Sequence, residues 1–484
     1  MKKRILCAIL LSSMLLSAVA CNGGNPEDTK TSVTDDPSAS LPAGIEKKDY
    51  DNATVNIAYP NWGLYPNYFF SEENTGDAID VALYNRELKV EEHLGVDITY
   101  EMQDDIRVIV ENIRQTVMSN EDAYQIALNH CIMGLNGMVT EGLLYDLNSI
   151  DTIDITSEWW NTRSMQNLEV DGKLFCAIND YMIPDPSVVV FNKGFVDTYQ
   201  LDDPYQLVRE GDWTIDTMMA MMKAVTTDNG DGKWDVNDIY GLGTPENWYI
   251  CPYIYSAGLL LTEKDEDGLF TLSFGTDERS TLFTEKLHAL LKGPDTYVYE
   301  YFHDQPTDKG YDPEKSLNIT KGRSLFGLVA SSYLNAYRDT NVEFGILPYP
   351  KLDAEQEDYL SLDWSGLLIV PASVQEPEMV GEVIELLAYY SEEEVLPAYY
   401  DVVLGEKLSR DEDSKEMLEI IFDGIIFDAG VNYFGFSPNV HKIFYIGDSI
   451  LKDNWSGIAS FMATLEKGAE AEIETFNLLV EDLD

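Results

Sequence analysis

The stretch TTDNGDGKWDVNDIYGL, Thr226–Leu242, gathers oxygen-bearing side chains around Gly230 and Gly232. Taking Gly232 as the sixth position of a twelve-residue loop puts Thr227, Asn229, Asp231, Lys233 (through its carbonyl), Asp235 and Asp238 where a hard Ca²⁺ takes its oxygens. Gly232 supplies the backbone freedom such a loop needs at that point. Thr227 stands where an Asp is usual, although Asp228 is adjacent, and Asp238 is shorter than the bidentate Glu that normally closes the loop. Asn-Gly and Asp-Gly also turn the chain without any metal, so a solvated acidic turn remains open beside the calcium reading.

Catalytic signatures are missing. The five histidines, at 93, 130, 288, 303 and 441, match no zinc spacing. There is no G-x-S-x-G elbow, P-loop or protein-kinase set. GLGTPE at Gly241 opens like a dinucleotide fingerprint but lacks its last glycine. With 86 acidic residues, a pair of hydrolytic carboxylates cannot be recognised from sequence. Cys131, Cys176 and Cys251 have no metal or redox spacing and read as small buried hydrophobes.

A chain of 484 residues, 45% hydrophobic and 11% aromatic, has material for two large lobes and substantial cores. Its net charge of −54, from 32 basic and 86 acidic residues, repels phosphate backbones, so nucleic acid is not expected as a partner. Residues 1–20 read as a signal: cationic MKKR, then a short apolar run ending in AVAC. That ending resembles a lipobox, with Cys21 as the lipidated residue, although Ala18 stands where Leu is usual. Residues 21–52 read as a flexible tether, rich in Gly, Ser, Thr, Asp and Pro.

From Ala53 strands alternate with helices. ATVNIAYP, VDITYEM and AYQIALNH have strand character; GDAIDVALYNRELKVEEHLG and DIRVIVENIRQTVMSN carry helical spacing. Such alternation implies a parallel sheet covered on both faces. SVVVFNK, RSLFGLVAS, VEFGILPYP and GLLIVPAS read as further strands, WTIDTMMAMMKAVT as a helix capped by Thr214, and the chain from Glu376 as mostly helical.

Six stretches in this order, GDAIDVALYNRELKVEEHLGVDI, VVVFNKGFVD, PYQLVREGDWTIDTM, DNGDGKWDVNDIYGL, YRDTNVEFGILPYPK and DSKEMLEIIFDGIIFDAG, resemble the extracellular solute-binding proteins, family 1, of carbohydrate ABC importers, whose best-known member is the maltose-binding protein. The resemblance runs from about Ala53 to the C-terminus. It implies an α/β, two-lobed periplasmic-binding-protein-like fold, each lobe a mostly parallel sheet flanked by helices, with a helix-rich C-terminal part. It places lobe 1 at 53–183 plus 324–371 and lobe 2 at 184–323 plus 372–484. The first crossing falls near Met182 to Ser187, a return near ITKGRSLFG and a last crossing near IVPAS, with Pro184, Pro186 and Pro371 beside them. It implies no catalysis: a monomer at the outer face of the bacterial cytoplasmic membrane, held by its N-terminal lipid, captures a saccharide, expected to be an oligosaccharide, and delivers it to permease subunits. The calcium loop then becomes a structural Ca²⁺ clip away from the ligand.

Sugars present C–H faces to aromatic rings and hydroxyls to polar side chains. At the ends of cleft-facing strands, Trp62, Asn129, His130, Asp180, Tyr181, Trp248, Tyr333 and Trp364 are therefore the expected ligand contacts. Trp159, Trp160 and Trp213 read as core. Two other readings stay open: a surface lipoprotein enzyme acting on glycans, and a peptide-binding protein of the same fold.

Overall fold

Val55, Ile57 and Tyr59 alternate along Ala53–Pro60, turn inward and make this strand, β1, the centre of a first sheet. The computed structural model describes residues 41–62, 68–71, 76–235, 237–244, 247–298, 318–337, 340–403, 412–452 and 454–483. The signal segment 1–20, Cys21 and the tether up to residue 40 lie outside them. Residues 41–52, expected to be tether, are instead packed. Lys48 and Tyr50 both donate to Glu382, and the His93 ring bonds the Ile45 carbonyl.

Helix α1 (Ala78–Leu94) follows β1. The Asp77 side chain caps it by accepting from the Ile79 N–H, and Gly95, at φ 63°, ends it. Its buried face repeats at helical spacing through Ile79, Leu83, Arg86, Val90 and Leu94. β2 (Val96–Gln103), α2 (Val108–Ser119) and β3 (Ile126–His130) complete the first unit, with β2 and β3 both parallel to β1.

The chain then crosses at 183–187 into β4 (Ser187–Asn192), the start of a second sheet. α3 (Ile215–Val225) is capped by Thr214, as its sequence implied. β5 (Tyr240–Thr244), β6 (Thr296–Val298), β7 (Ser324–Ala330) and β8 (Phe344–Leu347) give the order β8-β4-β7-β5-β6. This sheet is mixed rather than mostly parallel. β5 runs parallel to β6 and β7, but β4 is antiparallel to both its neighbours, β7 and β8. β4 enters straight from the crossing, with no helical connection to return it in the parallel sense. Gly241 explains itself here: a Cβ on it would stand 2.1 Å from the Met222 Cβ of α3. GLGTPE is thus a close helix–strand seat and not a nucleotide turn. Trp213 is fully buried and donates its indole N–H to the Pro348 carbonyl, a core residue as expected.

After β8 the chain returns along 361–365 into β9 (Gly366–Ile369), antiparallel to β3, so the first sheet is β9-β3-β1-β2. Two segments depart from the lobe boundaries implied by the sequence. Residues 324–347, expected with the first sheet, form β7 and β8 of the second. α4 (Pro377–Tyr390), expected with the second, packs on α1 and on 150–160. There Glu385 accepts the indole N–H groups of Trp159 and Trp160 and the backbone N–H of Asp154. Both tryptophans are therefore structural. The C-terminal part is helical, as expected, and includes α5 (Val440–Phe444) and α6 (Ile458–Glu481).

Candidate functional site

The carboxyl ends of β1, β3, β5 and β7 converge on a cleft of about 210 Å³ between the two sheets. This is where ligands bind in open α/β sheets. The first sheet contributes Trp62 after β1, Ile106 after β2, and His130 and Ile132 at the end of β3. The second contributes Trp248 and Tyr249 after β5, and Ala330, Ser332 and Tyr333 after β7. Asp185 and Trp364 come from the two crossings.

Five of the eight residues singled out from sequence meet here: Trp62, His130, Trp248, Tyr333 and Trp364. Trp62 packs edge-on against His130, with ring centroids 5.0 Å apart. The His130 ring accepts the Ile132 N–H at Nδ1, which leaves the proton to Nε2, and burial lowers its pKa to about 4. It is a neutral imidazole at neutral pH. Trp364 is tied to the crossing by its indole N–H, 2.7 Å from the Ser187 hydroxyl. Gly366 opens space beside Trp62, since a Cβ there would lie 2.5 Å from Met182 Cε and 3.5 Å from the Trp62 ring.

Three expected contacts are elsewhere. Asn129 is fully buried and donates to the carbonyls of His130 and Met133. Successive residues of a strand face opposite sides, so with His130 in the cleft Asn129 must turn away. Tyr181 is also fully buried. Its ring lies 4.7 Å from the Arg86 guanidinium and its hydroxyl bonds that of Tyr100, so it anchors a buried cation instead of facing ligand. Asp180 is half-buried, bonds the Trp159 carbonyl through its backbone N–H, and does not line the cleft.

Asp185 was missed. Its carboxylate accepts the Ser331 hydroxyl at 3.0 Å, the Ser332 N–H at 2.7 Å and the Ser332 hydroxyl at 2.9 Å. Behind it, Asp363 accepts the Asp185 N–H at 2.7 Å, the Ser365 N–H at 2.9 Å and the Ser365 hydroxyl at 3.0 Å. Burial raises both carboxyl pKa values, that of Asp363 to about 7. The two acids lock the crossing segments to each other and to the end of β7.

In the acidic loop, Asp238 is fully buried and accepts the N–H groups of Asn229 and Asp235. Asn229, Asp231 and Asp235 each accept the N–H two residues on, Asp228 accepts from Gly230 and Gly232, and Thr227 pairs with Ile239 across the neck. Lys233 enters this net through its N–H. Among the described residues no group of three or more His, Cys, Asp or Glu side chains stands together as a metal site. None of the described loop residues lines the cleft.

No protein-family model and no curated protein sequence matches the chain. Solved structures do. An ABC substrate-binding protein of Listeria monocytogenes in complex with cycloalternan has a TM-score of 0.54 at 13% identity, over 88% of this chain and 99% of that one. An ABC transporter solute-binding protein of Thermotoga lettingae with α-D-tagatose gives 0.53 at 12%, over 88% and 100%. The maltose/maltodextrin-binding domain MalE of Bdellovibrio bacteriovorus with maltotriose gives 0.51 at 15%, over 89% and 99%. With its two sheets, its paired crossings and the cleft between them, the chain has the two-lobed α/β fold of the maltose-binding-protein-like ABC solute-binding proteins.

Proposed function

We propose that this protein captures a saccharide in the cleft between its two sheets and presents it to an ABC importer. One observation carries the reading: the cleft joins three tryptophans, two tyrosines and a neutral histidine at strand ends and crossings, with no Lys or Arg among the described residues of its lining. Rings of this kind cover the C–H faces of a neutral sugar, and the absence of cations disfavours an anionic ligand. The saccharide ligands of the structural neighbours support it. Hydrolysis is less well supported, because Asp185 and Asp363 both hold protein N–H and hydroxyl groups. No helix of the described residues is long and apolar enough to cross a membrane. Lipidation at Cys21 would supply the attachment, and a Cys21→Ser protein recovered in the soluble fraction would demonstrate it.

A thermal-shift screen over mono- and oligosaccharides, with peptides as the control class, tests the ligand, since a bound molecule raises the melting temperature by mass action. Trp62→Ala should then weaken saccharide binding by about 1–3 kcal/mol in calorimetry while the melting temperature without ligand changes little. Unchanged affinity would remove Trp62 from the site.

The reading includes a structural Ca²⁺ held by Asn229, Asp231, Asp235 and Asp238, with Thr227 and the Lys233 carbonyl completing the loop. Its donors lie outside the cleft lining. Chelation by EDTA should lower the melting temperature by several degrees, Ca²⁺ should restore it, and Mg²⁺ should not. Asp231→Ala should abolish the response without changing saccharide affinity. A melt indifferent to EDTA would mean that the turn is closed by its own hydrogen bonds alone.

A further inference from the structure

We propose that Trp248, Tyr445, His441 and Phe436 form a second saccharide-stacking surface at the mouth of the cleft, taking sugar units of a chain that the cleft alone is too small to hold. The proposal rests on reading the cleft as a saccharide site. Size is the first argument: about 210 Å³ falls below the roughly 300–1,000 Å³ of ordinary small-molecule pockets, so the outer units of an oligosaccharide would lie beyond it.

Continuity is the second. Trp248, a cleft wall, meets Tyr445 at 5.5 Å between ring centroids; Tyr445 meets His441 at 4.6 Å, and His441 meets Phe436 at 4.8 Å. At the far end the Arg107 guanidinium lies 5.7 Å from the Phe436 ring, and its chain neighbour Ile106 is again a cleft residue. The rings thus form a contiguous row that starts at one cleft wall and ends against Arg107, next in the chain to a residue of another wall. Phe436 and Trp248 are each 39% exposed, so ring surface is open to a ligand. Burial lowers the His441 pKa to about 4, so its ring stacks as a neutral group near neutral pH. Among the described residues Arg107 has no ion-pair partner, although acids outnumber bases 86 to 32 in the chain. Its N–H groups are donors for sugar hydroxyls.

Backbone geometry is the third argument. Phe436 has φ 60°, a left-handed conformation that a bulky side chain rarely adopts. Its neighbours hold it there. A Cβ on Gly435 would lie 1.8 Å from the Ile132 carbonyl oxygen, and one on Gly134 would lie 2.3 Å from the Gly435 oxygen. Further ties run from the Leu135 and Asn136 N–H groups to the Asn432 and Tyr433 carbonyls. The strained segment is therefore pressed directly against a cleft wall, yet it presents an exposed aromatic ring. Strained positions held by their surroundings cluster at ligand sites, and this one presents its ring beside the cleft.

Calorimetry on the full chain with one-, two-, four- and six-unit saccharides of the glucose, xylose, mannose and galactose series tests this. In the wild type the four-unit member of the bound series should bind about tenfold or more tighter than the one-unit member. Phe436→Gly, which accepts φ 60° without strain, should lose most of that gain while keeping the one-unit affinity and melting no lower; Phe436→Trp should retain it. Equal affinity across lengths, an undiminished gain in Phe436→Gly, or an equal loss for every length would overturn the second surface and leave the cleft reading standing. No binding of any saccharide by the wild type would instead remove the cleft reading, and this proposal with it.

Discussion

Asp363→Asn should stabilise the protein near pH 8 and change little near pH 4. Burial holds the Asp363 carboxyl at about 7 against an ordinary 3.8. Below about pH 4 the carboxyl is protonated in both folded and unfolded chains, and its burial as a neutral group costs nothing extra. Between about pH 4 and 7 the unfolded chain has released the proton while the folded chain keeps it, so stability falls as pH rises. Above about 7 the loss is complete. Three units at about 1.4 kcal/mol each put it on the order of 4 kcal/mol. Asn keeps an oxygen for the N–H groups of Asp185 and Ser365, and the Ser365 hydroxyl can turn to accept from its amide. It cannot ionise, so it escapes the loss.

The difference between variant and wild type is the useful quantity. His130 and His441, both lowered to about 4, lose stability as pH falls from 6.5 towards 4, which opposes the Asp363 slope. Glu385, raised to about 7 by burial, adds to it. Urea denaturation of both proteins at pH 4, 6 and 8 separates the contributions. A gap that stays constant with pH would show that Asp363 is ionised throughout.

The same crossing shows what could be read from sequence and what could not. Alternation along β1 and the 3.6-residue spacing of α1 fixed those elements, because each has one buried face to declare. Trp62, His130, Trp248, Tyr333 and Trp364 were found by pairing residue chemistry with strand ends. That rule failed at Asn129, Asp180 and Tyr181, because it gives position along the chain but not the side of the strand or what waits behind it. Asn129 required the register of His130, and Tyr181 required Arg86, 95 positions earlier. Asp185 was nearer to hand. It stands between Pro184 and Pro186, at the crossing the prolines had marked, and an acid there had a visible signal. The lobe membership of 324–347 and 377–390 rests on strand pairing and helix packing between distant segments, which periodicity does not contain. Phe436 gave no signal, because a left-handed phenylalanine is held by tertiary contacts alone.

Asp185→Ala should cost about 3–5 kcal/mol of stability, mostly through the end of β7. Its carboxylate lies at the meeting of three segments. It receives the N–H and hydroxyl of Ser332 and the hydroxyl of Ser331, its own N–H goes to Asp363, and its carbonyl takes the Trp364 N–H. Alanine preserves the two backbone links but deletes the acceptor of three donors. Asp185, Ser331 and Ser332 are all at most 4% exposed, so water does not readily replace it. A buried donor left without a partner costs about 1–3 kcal/mol, and the backbone N–H of Ser332 has no rotamer by which to find another. Asp185→Asn keeps an oxygen for that N–H and should lose far less. Hydrogen exchange gives the local readout: in the Ala variant the amides of 331–333 should exchange much faster, while those of β1 change only with global stability. Because Ser332 and Tyr333 line the cleft, saccharide affinity should fall with that protection and recover in the Asn variant. If Ala costs less than about 1 kcal/mol and leaves 331–333 protected, the bonds at Asp185 are idle and the junction is held by its backbone pairing alone.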